Sequence, residues 1–242
     1  CTVAWRSGTN QQYQRFSPYS MYGLGELRTP GTLQTRSMGG VGVGMRNAAA
    51  VNLLNPAAYS AVRPKSFLFD FGLEGQCFYN SQKYYGQTLN TSYYTVNFHD
   101  IAFQLPIAKH LGLGFSLTPY SSVGYRMKQE VDDDEIWGNI GRVQYQWDGD
   151  GDVTEVKLGL GWEIFRGFSI GIAAQYYWGD IQRIYKTAIL ENITGGGLIA
   201  DATGTETYSV SRFKGQFGVQ WSPISNRRRI LTIGATYDIG AT

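Results

Sequence analysis

The sequence predicts an all-β protein: antiparallel strands forming a transmembrane β-barrel, with a plugging segment in front of them. Three observations lead to this prediction. From Ser66 onward, apolar residues alternate with small or polar residues, which is the period of a β-strand with two different faces. The connections between these strands alternate in length. Residues 36–62, directly before the first strand, are rich in glycine and alanine, as expected of a flexible lead.

Composition agrees with a wall that has one apolar and one polar face. Only 17% of the 242 residues are charged, below the roughly 25% of ordinary soluble domains. Glycine is abundant with 31 residues, and aromatic residues reach 14%. The mean hydropathy is only −0.25, whereas a fully buried core would be more apolar. The net charge of +2 gives no support to a nucleic-acid partner, and no apolar run approaches the length of a transmembrane helix.

The chain divides into an N-terminal region, residues 1–65, and a strand region, residues 66–242. Residues 1–35 are polar and aromatic without periodicity and are predicted to be irregular. The segment 47–54 is predicted to form a short helix. This helix would end before Asn55, because the residue before a proline avoids the helical region.

Seven strands are predicted in the second region. Their approximate bounds are 66–76, 92–105, 110–125, 140–164 (long, either continuous or interrupted), 168–185, 206–222 and 230–242. Residues 156–164 show the pattern clearly, with apolar side chains at every second position. Several of these apolar stripes carry an aromatic residue near one end, as at Trp162, Trp178 and Trp221. Aromatic residues gather at both interfaces of membrane barrels, so lipid is favoured over a soluble core.

The connections support the same interpretation. Short ones fall at 106–109, 165–167 and 223–229, and long polar ones at 77–91, 126–139 and 186–205. Short turns on one side and long loops on the other are the outer-membrane arrangement. A soluble or lipid-anchored β-sandwich is the alternative.

Seven strands is an odd number, and bacterial single-chain barrels usually have an even one. The chain also stops inside an alternating strand, on Thr242 and not on an aromatic residue. We therefore expect the sequence to be the N-terminal part of a longer barrel.

The segment from Arg36 to Ser60 resembles the N-terminal hatch of the FadL-type outer-membrane transporters of long-chain fatty acids and other hydrophobic compounds. The residues that carry the resemblance are Ser37, Gly39, Gly40, Gly42, Asn55, Pro56 and Ala57. The resemblance implies a fourteen-stranded barrel, of which seven strands would be half. It also implies a hatch inside the lumen shaped by the Asn-Pro-Ala step, a hydrophobic pocket above the hatch and a lateral opening in the wall.

Two functions follow from this resemblance, both in the outer membrane of a Gram-negative bacterium. The first is passive uptake of hydrophobic small molecules, such as fatty acids or aromatics, through a hatch-gated lumen. The alternative is a FadL-like accessory subunit of a larger secretion or assembly complex, without transport of its own. The expected partners are outer-membrane lipid, a hydrophobic small molecule and other outer-membrane proteins, and no cofactor is expected.

A hydrophobic pocket needs few polar anchors, such as a cation for a carboxylate. Lys157 and Lys214, on the inward-facing positions of their strands, are the candidate lumen cations. Solvation of the lumen is their alternative role.

Asp148, Asp150 and Asp152 form the densest carboxylate cluster, and their spacing is that of the start of a calcium loop. Val153 stands where such a loop requires glycine, and Gly159 where it requires glutamate. A Gly/Asp turn or a strand distortion is therefore favoured over a metal site.

We find no catalytic motif, and the protein is not expected to be an enzyme. His99 and Asp100 are neighbours on a strand and are predicted to point to opposite faces. Cys1 is a candidate for lipidation, and a disulfide between Cys1 and Cys77 is possible by composition alone. Neither histidine stands at zinc-ligand spacing from a cysteine.

Overall fold

The computed structural model describes residues 17–84, 87–130, 142–191, 202–226 and 229–240. In these ranges the chain forms one curled antiparallel sheet, which confirms the predicted all-β class. The strands are β1 (Glu26–Leu27), β2 (Leu68–Tyr84), β3 (Gln87–Ala108), β4 (Leu111–Glu130), β5 (Arg142–Phe165), β6 (Phe168–Glu191), β7 (Ala202–Asn226) and β8 (Arg229–Gly240). Strands β2 to β8 are neighbours in chain order, and β1 pairs with β4.

The long strands extend further than the alternation predicted. The predicted long connection 77–91 is wrong, because β2 and β3 continue through it and only residues 85 and 86 separate them. The predicted long fourth strand is confirmed and is continuous, because β5 runs over 24 residues. Polar side chains on both faces hid these extensions from a search for apolar alternation.

Strands β2 to β8 together form what we call the wall. In the described residues, three short helices precede it in the chain. They are a 3-10 helix Pro18–Met21, α1 (Leu33–Ser37) and a 3-10 helix Pro56–Ala61. The predicted helix at 47–54 is not formed. Asn52, which is buried, donates hydrogen bonds to the carbonyl oxygens of Gly42 and Met45 and accepts one from the amide of Leu54, holding an irregular turn.

Among the described residues, no helix has both the length and the apolar character needed to cross a membrane.

The two faces of the sheet differ in chemistry. We call the face contacted by residues 42–60 the inner face, and the opposite one the outer face. Over residues 156–164 of β5 and 170–178 of β6 the outer face is a band of exposed apolar side chains, the apolar band. Its exposed members on β5 to β8 are Leu158, Leu160, Trp162, Ile164, Ile170, Ile172, Trp178, Phe213, Phe217, Val219, Trp221, Ile233, Tyr237 and Ile239.

Beyond the apolar band, the polarity of the two faces reverses. On β5 the outer positions become carboxylates, at Asp148, Asp150 and Asp152. The inner positions there hold a buried apolar cluster of Val123, Tyr125, Val153 and Ile181. This half of the wall is built like a soluble sheet, with its core inside and charge outside.

Strands β3 and β4 separate in this same half. Their pairing runs from the turn at residues 109–110 only as far as Ile101 opposite Leu117. Beyond that point β4 pairs with β1, through Glu26 opposite Ser122 and Leu27 opposite Ser121. We call the gap between β3 and β4 the seam, and residues 17–28, which lie along β4 there, the strap.

Candidate functional site

The inner face of the wall carries a set of glycines, the glycine bed. Part of the N-terminal segment, which we define as residues 32–64, lies on it. A Cβ atom at any of seven positions would overlap this segment, and these positions are Gly112, Gly114, Gly159, Gly161, Gly171, Gly218 and Gly234. They belong to β4 through β8 and so form a continuous surface. Without side chains there, the backbones of segment and wall approach closely, which is why the inner positions of these strands are glycine.

Asn55 joins the segment to the wall. Its side-chain oxygen accepts a hydrogen bond from the amide of Ala57 at 3.0 Å, capping the 3-10 helix that begins at Pro56. Its amide nitrogen donates to the carbonyl oxygens of Val43 at 2.8 Å and Val219 at 3.2 Å. The residue is fully buried, so each bond satisfies a group that water cannot reach.

Tyr59 fills the space above two glycines of the bed. Cβ atoms at Gly114 and Gly159 would lie 2.6 and 2.7 Å from its ring. Its side chain is 1% exposed, and burial raises the pKa of its hydroxyl above the ordinary value. Tyr59 was not predicted as a site residue. The signal that could have found it is the glycine at every second residue of β4 and β5, which leaves space for a bulky side chain on the inner face.

The other residues of the hatch motif separate into two places. Ser37 ends α1, and Gly39 and Gly40 follow it with positive φ angles of 83° and 77° and no contact within 4 Å of a built Cβ. Their role is the left-handed backbone after a helix. Gly42 is different, because its position is buried against the side chain of Leu54. The segment is thus held by residues 42–60, and not by the glycines just before them.

Between the segment and the wall lies a cavity of about 260 Å³. Both predicted lumen cations line it. The ammonium group of Lys157 donates a hydrogen bond to the carbonyl oxygen of Leu53 at 2.6 Å, so it binds the segment. Lys214 lies 3.3 Å from the carboxylate of Asp238. The lining is mixed, with further polar side chains such as Glu155 beside apolar ones such as Leu53. Anchoring of a carboxylate ligand by either lysine stays a prediction.

A second and larger concavity of about 850 Å³ opens at the end of the wall that carries the turns at residues 109–110 and 166–167. We call it the basic groove, and its charged lining residues are Arg46, Arg63, Lys109, His110, Glu163 and Arg166. Arg46 lies at its base, donating to the hydroxyls of Ser60 at 3.1 Å and Ser169 at 2.7 Å. Burial lowers the pKa of its guanidinium, which nonetheless stays charged at neutral pH.

The prediction that His99 and Asp100 point to opposite faces is wrong. The register of β2 and β3 shifts between Gly72 and Leu73, so that Gly72 pairs with Asp100 and Leu73 with Phe98. His99 is the extra residue of this bulge, which turns its ring toward the buried carboxylate of Asp100, where the two groups are in contact.

The predicted calcium residues do not surround a common point. Asp148, Asp150 and Asp152 follow one another at alternate positions of β5, about 6.6 Å apart along an extended strand. Arg126 forms an ion pair with Asp148 at 2.8 Å. No group of three or more ligand side chains that could hold a metal occurs in the part of the chain that the structure covers.

Cys77 is an exposed free thiol. Cys1 and its predicted lipidation or disulfide lie outside the described residues.

Comparison with known proteins gives a family for the whole chain. Residues 1–242 match the BamG family, and the chain belongs to it. The predicted membership of the FadL-type transporter family is therefore wrong. No curated protein and no solved structure matches the chain. The resemblance rested on a few glycines and an Asn-Pro-Ala step, which here serve as a left-handed turn after α1 and as the cap of a 3-10 helix, and neither role is specific to one family.

Proposed function

We propose that this protein is a structural subunit of the outer-membrane assembly complex to which the name BamG points, the Bam complex, and that it neither transports a ligand nor catalyses a reaction. The observation that carries the proposal is the match of the entire chain to the BamG family. Its location would be the outer membrane of a Gram-negative bacterium. Its partners would be other outer-membrane proteins.

The geometry of the inner face supports a structural role. Backbone groups of Pro56, Ala57 and Tyr59 lie against the glycine bed with no room for a single added carbon atom. The cavity that remains, about 260 Å³, lies below the roughly 300–1,000 Å³ of ordinary ligand pockets, and its lining includes the charged side chains of Glu155, Lys157 and Lys214. A hydrophobic compound would find little room there and would lie beside charged groups.

The outer face supports a membrane location. The apolar band covers nine residues on β5 and on β6, and a membrane-crossing strand needs about 9–11 residues. We propose that the curled sheet is part of a membrane barrel in which residues 32–62 form the hatch of the lumen. The half of the wall beyond the band, with its polar outer face, would project into water.

The test is native mass spectrometry of the affinity-tagged protein, extracted from outer membranes in a mild detergent. The expected result is a stable hetero-complex of fixed stoichiometry with no fatty or aromatic molecule bound. A monomer that carries such a molecule would overturn the proposal in favour of uptake.

Two matched variants sharpen this experiment. Lys214→Met removes a cation that lines the cavity, whereas Lys128→Met removes one that does not. Under the proposal both variants purify with the same partners as the wild-type chain. Loss of a bound carboxylate compound in Lys214→Met alone would point to a ligand site.

A further inference from the structure

The basic groove has more positive charge than its own residues neutralise. It is lined by four cations, Arg46, Arg63, Lys109 and Arg166, with His110 beside them, and Glu163 is its one carboxylate. Arg63, Lys109 and Arg166 are all exposed. Within the described ranges, none of these three side chains has an ion-pair or hydrogen-bond partner.

Glu163 cannot neutralise the three exposed cations, because other groups already occupy it. One carboxylate oxygen accepts a hydrogen bond from the amide of Gly167 at 3.1 Å. The other contacts the ring of His110 at 3.1 Å and the guanidinium of Arg46 at 3.6 Å. Arg46 is thereby fixed at the base of the groove. The positive charges of Arg63, Lys109 and Arg166 therefore remain available to a ligand in the groove.

The groove opens on the side of the segment and not toward the apolar band. Glu163 and Thr232 of its lining share the inner face with Gly161 and Gly234 of the glycine bed. Residues 60–64, which leave the bed, form the opposite wall. In the proposed barrel the inner face is the side away from lipid, so a polypeptide from the aqueous side would reach this site more directly than a lipid headgroup.

In the proposed membrane barrel, the position of the groove indicates the compartment that it faces. It is bordered by the turns at residues 109–110 and 166–167, and outer-membrane barrels place their short turns toward the periplasm. From this position and this charge we infer that the basic groove binds an acidic segment of a periplasmic protein. The inference rests on the proposed function, because it assigns one contact of the proposed subunit.

A direct binding test uses the purified protein in detergent and a fluorescent ten-residue peptide of glutamate and serine. The anisotropy of the peptide should rise with the wild-type protein, and the affinity should fall at least fivefold between 50 and 300 mM salt, because the contacts are ionic. The variant R63E/K109E/R166E should bind at least tenfold more weakly. The matched variant K128E/K186E/R212E, which reverses three cations outside the groove, should bind like the wild type. Equal affinity of both variants would overturn the inference.

Vesicles distinguish the lipid source of negative charge. If phosphatidylglycerol vesicles compete with the peptide and phosphatidylcholine vesicles do not, and the groove variant removes this competition, the site recognises a headgroup and the inference fails. No competition by either vesicle is the result we expect.

The test in the cell separates this inference from the proposed function. If the wild-type protein purifies without other outer-membrane proteins, the proposed function fails, whatever the peptide does. If it purifies within a complex, the groove variant should retain the membrane partners and lose a periplasmic one. If the groove variant keeps both the complete complex and the peptide affinity of the wild type, the inference about the groove fails and the proposed function stands.

Discussion

At the scale of single residues, Asn55 shows why the sequence places particular side chains in the segment. One side chain caps a helix, bonds an earlier loop of the segment and bonds a carbonyl of β7. Asparagine is suited to this position because it accepts on one side and donates two protons on the other. Aspartate at this position would place a buried charge against two carbonyl oxygens.

We predict that Asn55→Ala lowers the free energy of unfolding by about 2 to 4 kcal/mol, since it removes three hydrogen bonds at a fully buried position and leaves the amide of Ala57 without its cap. Urea unfolding in lipid vesicles, followed by tryptophan fluorescence, measures this. The matched control is Asn47→Ala, which removes an exposed bond to the amide of Ala49. Equal destabilisation by the two substitutions would show that Asn55 does not hold the segment.

The glycine bed gives a second prediction at this scale. Gly171→Ala places a methyl group against the backbone of Pro56 and Ala57, and overpacking of this kind costs about 1–3 kcal/mol. Gly215→Ala is the control, since nothing lies within 4 Å of its built Cβ. Limited trypsin digestion should cleave the segment after Arg46 faster in Gly171→Ala than in Gly215→Ala. The same rate in both would mean that segment and wall are not in close contact.

At the scale of elements, the strap lies along the β4 side of the seam through backbone pairing. The amides of Ser17 and Arg28 donate to the carbonyl oxygens of Gly124 at 3.0 Å and Tyr120 at 2.8 Å. Arg28 also forms an ion pair with Glu74 of β2 at 3.2 Å. The strap therefore connects β4 directly with β2, the strand beyond β3, through one buried side chain.

A disulfide tests this arrangement. Leu27 and Ser121 are opposite one another in the β1–β4 register, where Cα atoms lie about 4.5–5.5 Å apart, within the range that a disulfide spans. In a Cys77→Ser background, Leu27→Cys with Ser121→Cys should form a cross-link that shifts the band on a non-reducing gel. Leu27→Cys with Ile172→Cys, on the outer face of β6, should not. Cross-linking of both pairs, or of neither, would contradict the register.

The elements that the sequence could predict are those with a single periodicity. Strands β5 to β8 alternate cleanly over the apolar band, so their centres were predicted correctly. The bulge at His99 could not be predicted, because it depends on the register with Gly72, which no local pattern records. The cavity lining was anticipated at Lys157 and Lys214. The basic groove was not, because its residues come from turns and from the segment, which are far apart in the sequence.

At the scale of the whole molecule, the wall is longer than a membrane is thick. Strand β6 has 24 residues, more than twice the number needed to cross. The outer face changes from apolar to polar along β5 and β6, while the inner face gains the cluster around Val123 and Ile181. One sheet thus has a part whose apolar outer face suits lipid and a part whose polar outer face suits water.

This division predicts that a lysine introduced at two positions on the outer face of β6 has a large effect at one position and almost none at the other. Ile172→Lys puts a charge in the middle of the apolar band and should cost about 2 to 4 kcal/mol in lipid vesicles. Gln182→Lys, ten residues further along, should change the free energy of unfolding by less than about 0.5 kcal/mol. Urea unfolding in phosphatidylcholine vesicles measures both values. Similar costs would place the membrane boundary elsewhere.

The contacts of the glycine bed also follow an order along the chain. Tyr59 lies on β4 and β5, Pro56 and Ala57 on β6, Asn55 on β7, and Val43 on β8. The segment therefore meets the strands in the reverse of chain order. If the strands pair in chain order during folding, each new strand finds its contact further back along a segment that was synthesised first. Under that order of pairing, the N-terminal region would be a template for the wall, contacted by one strand after another.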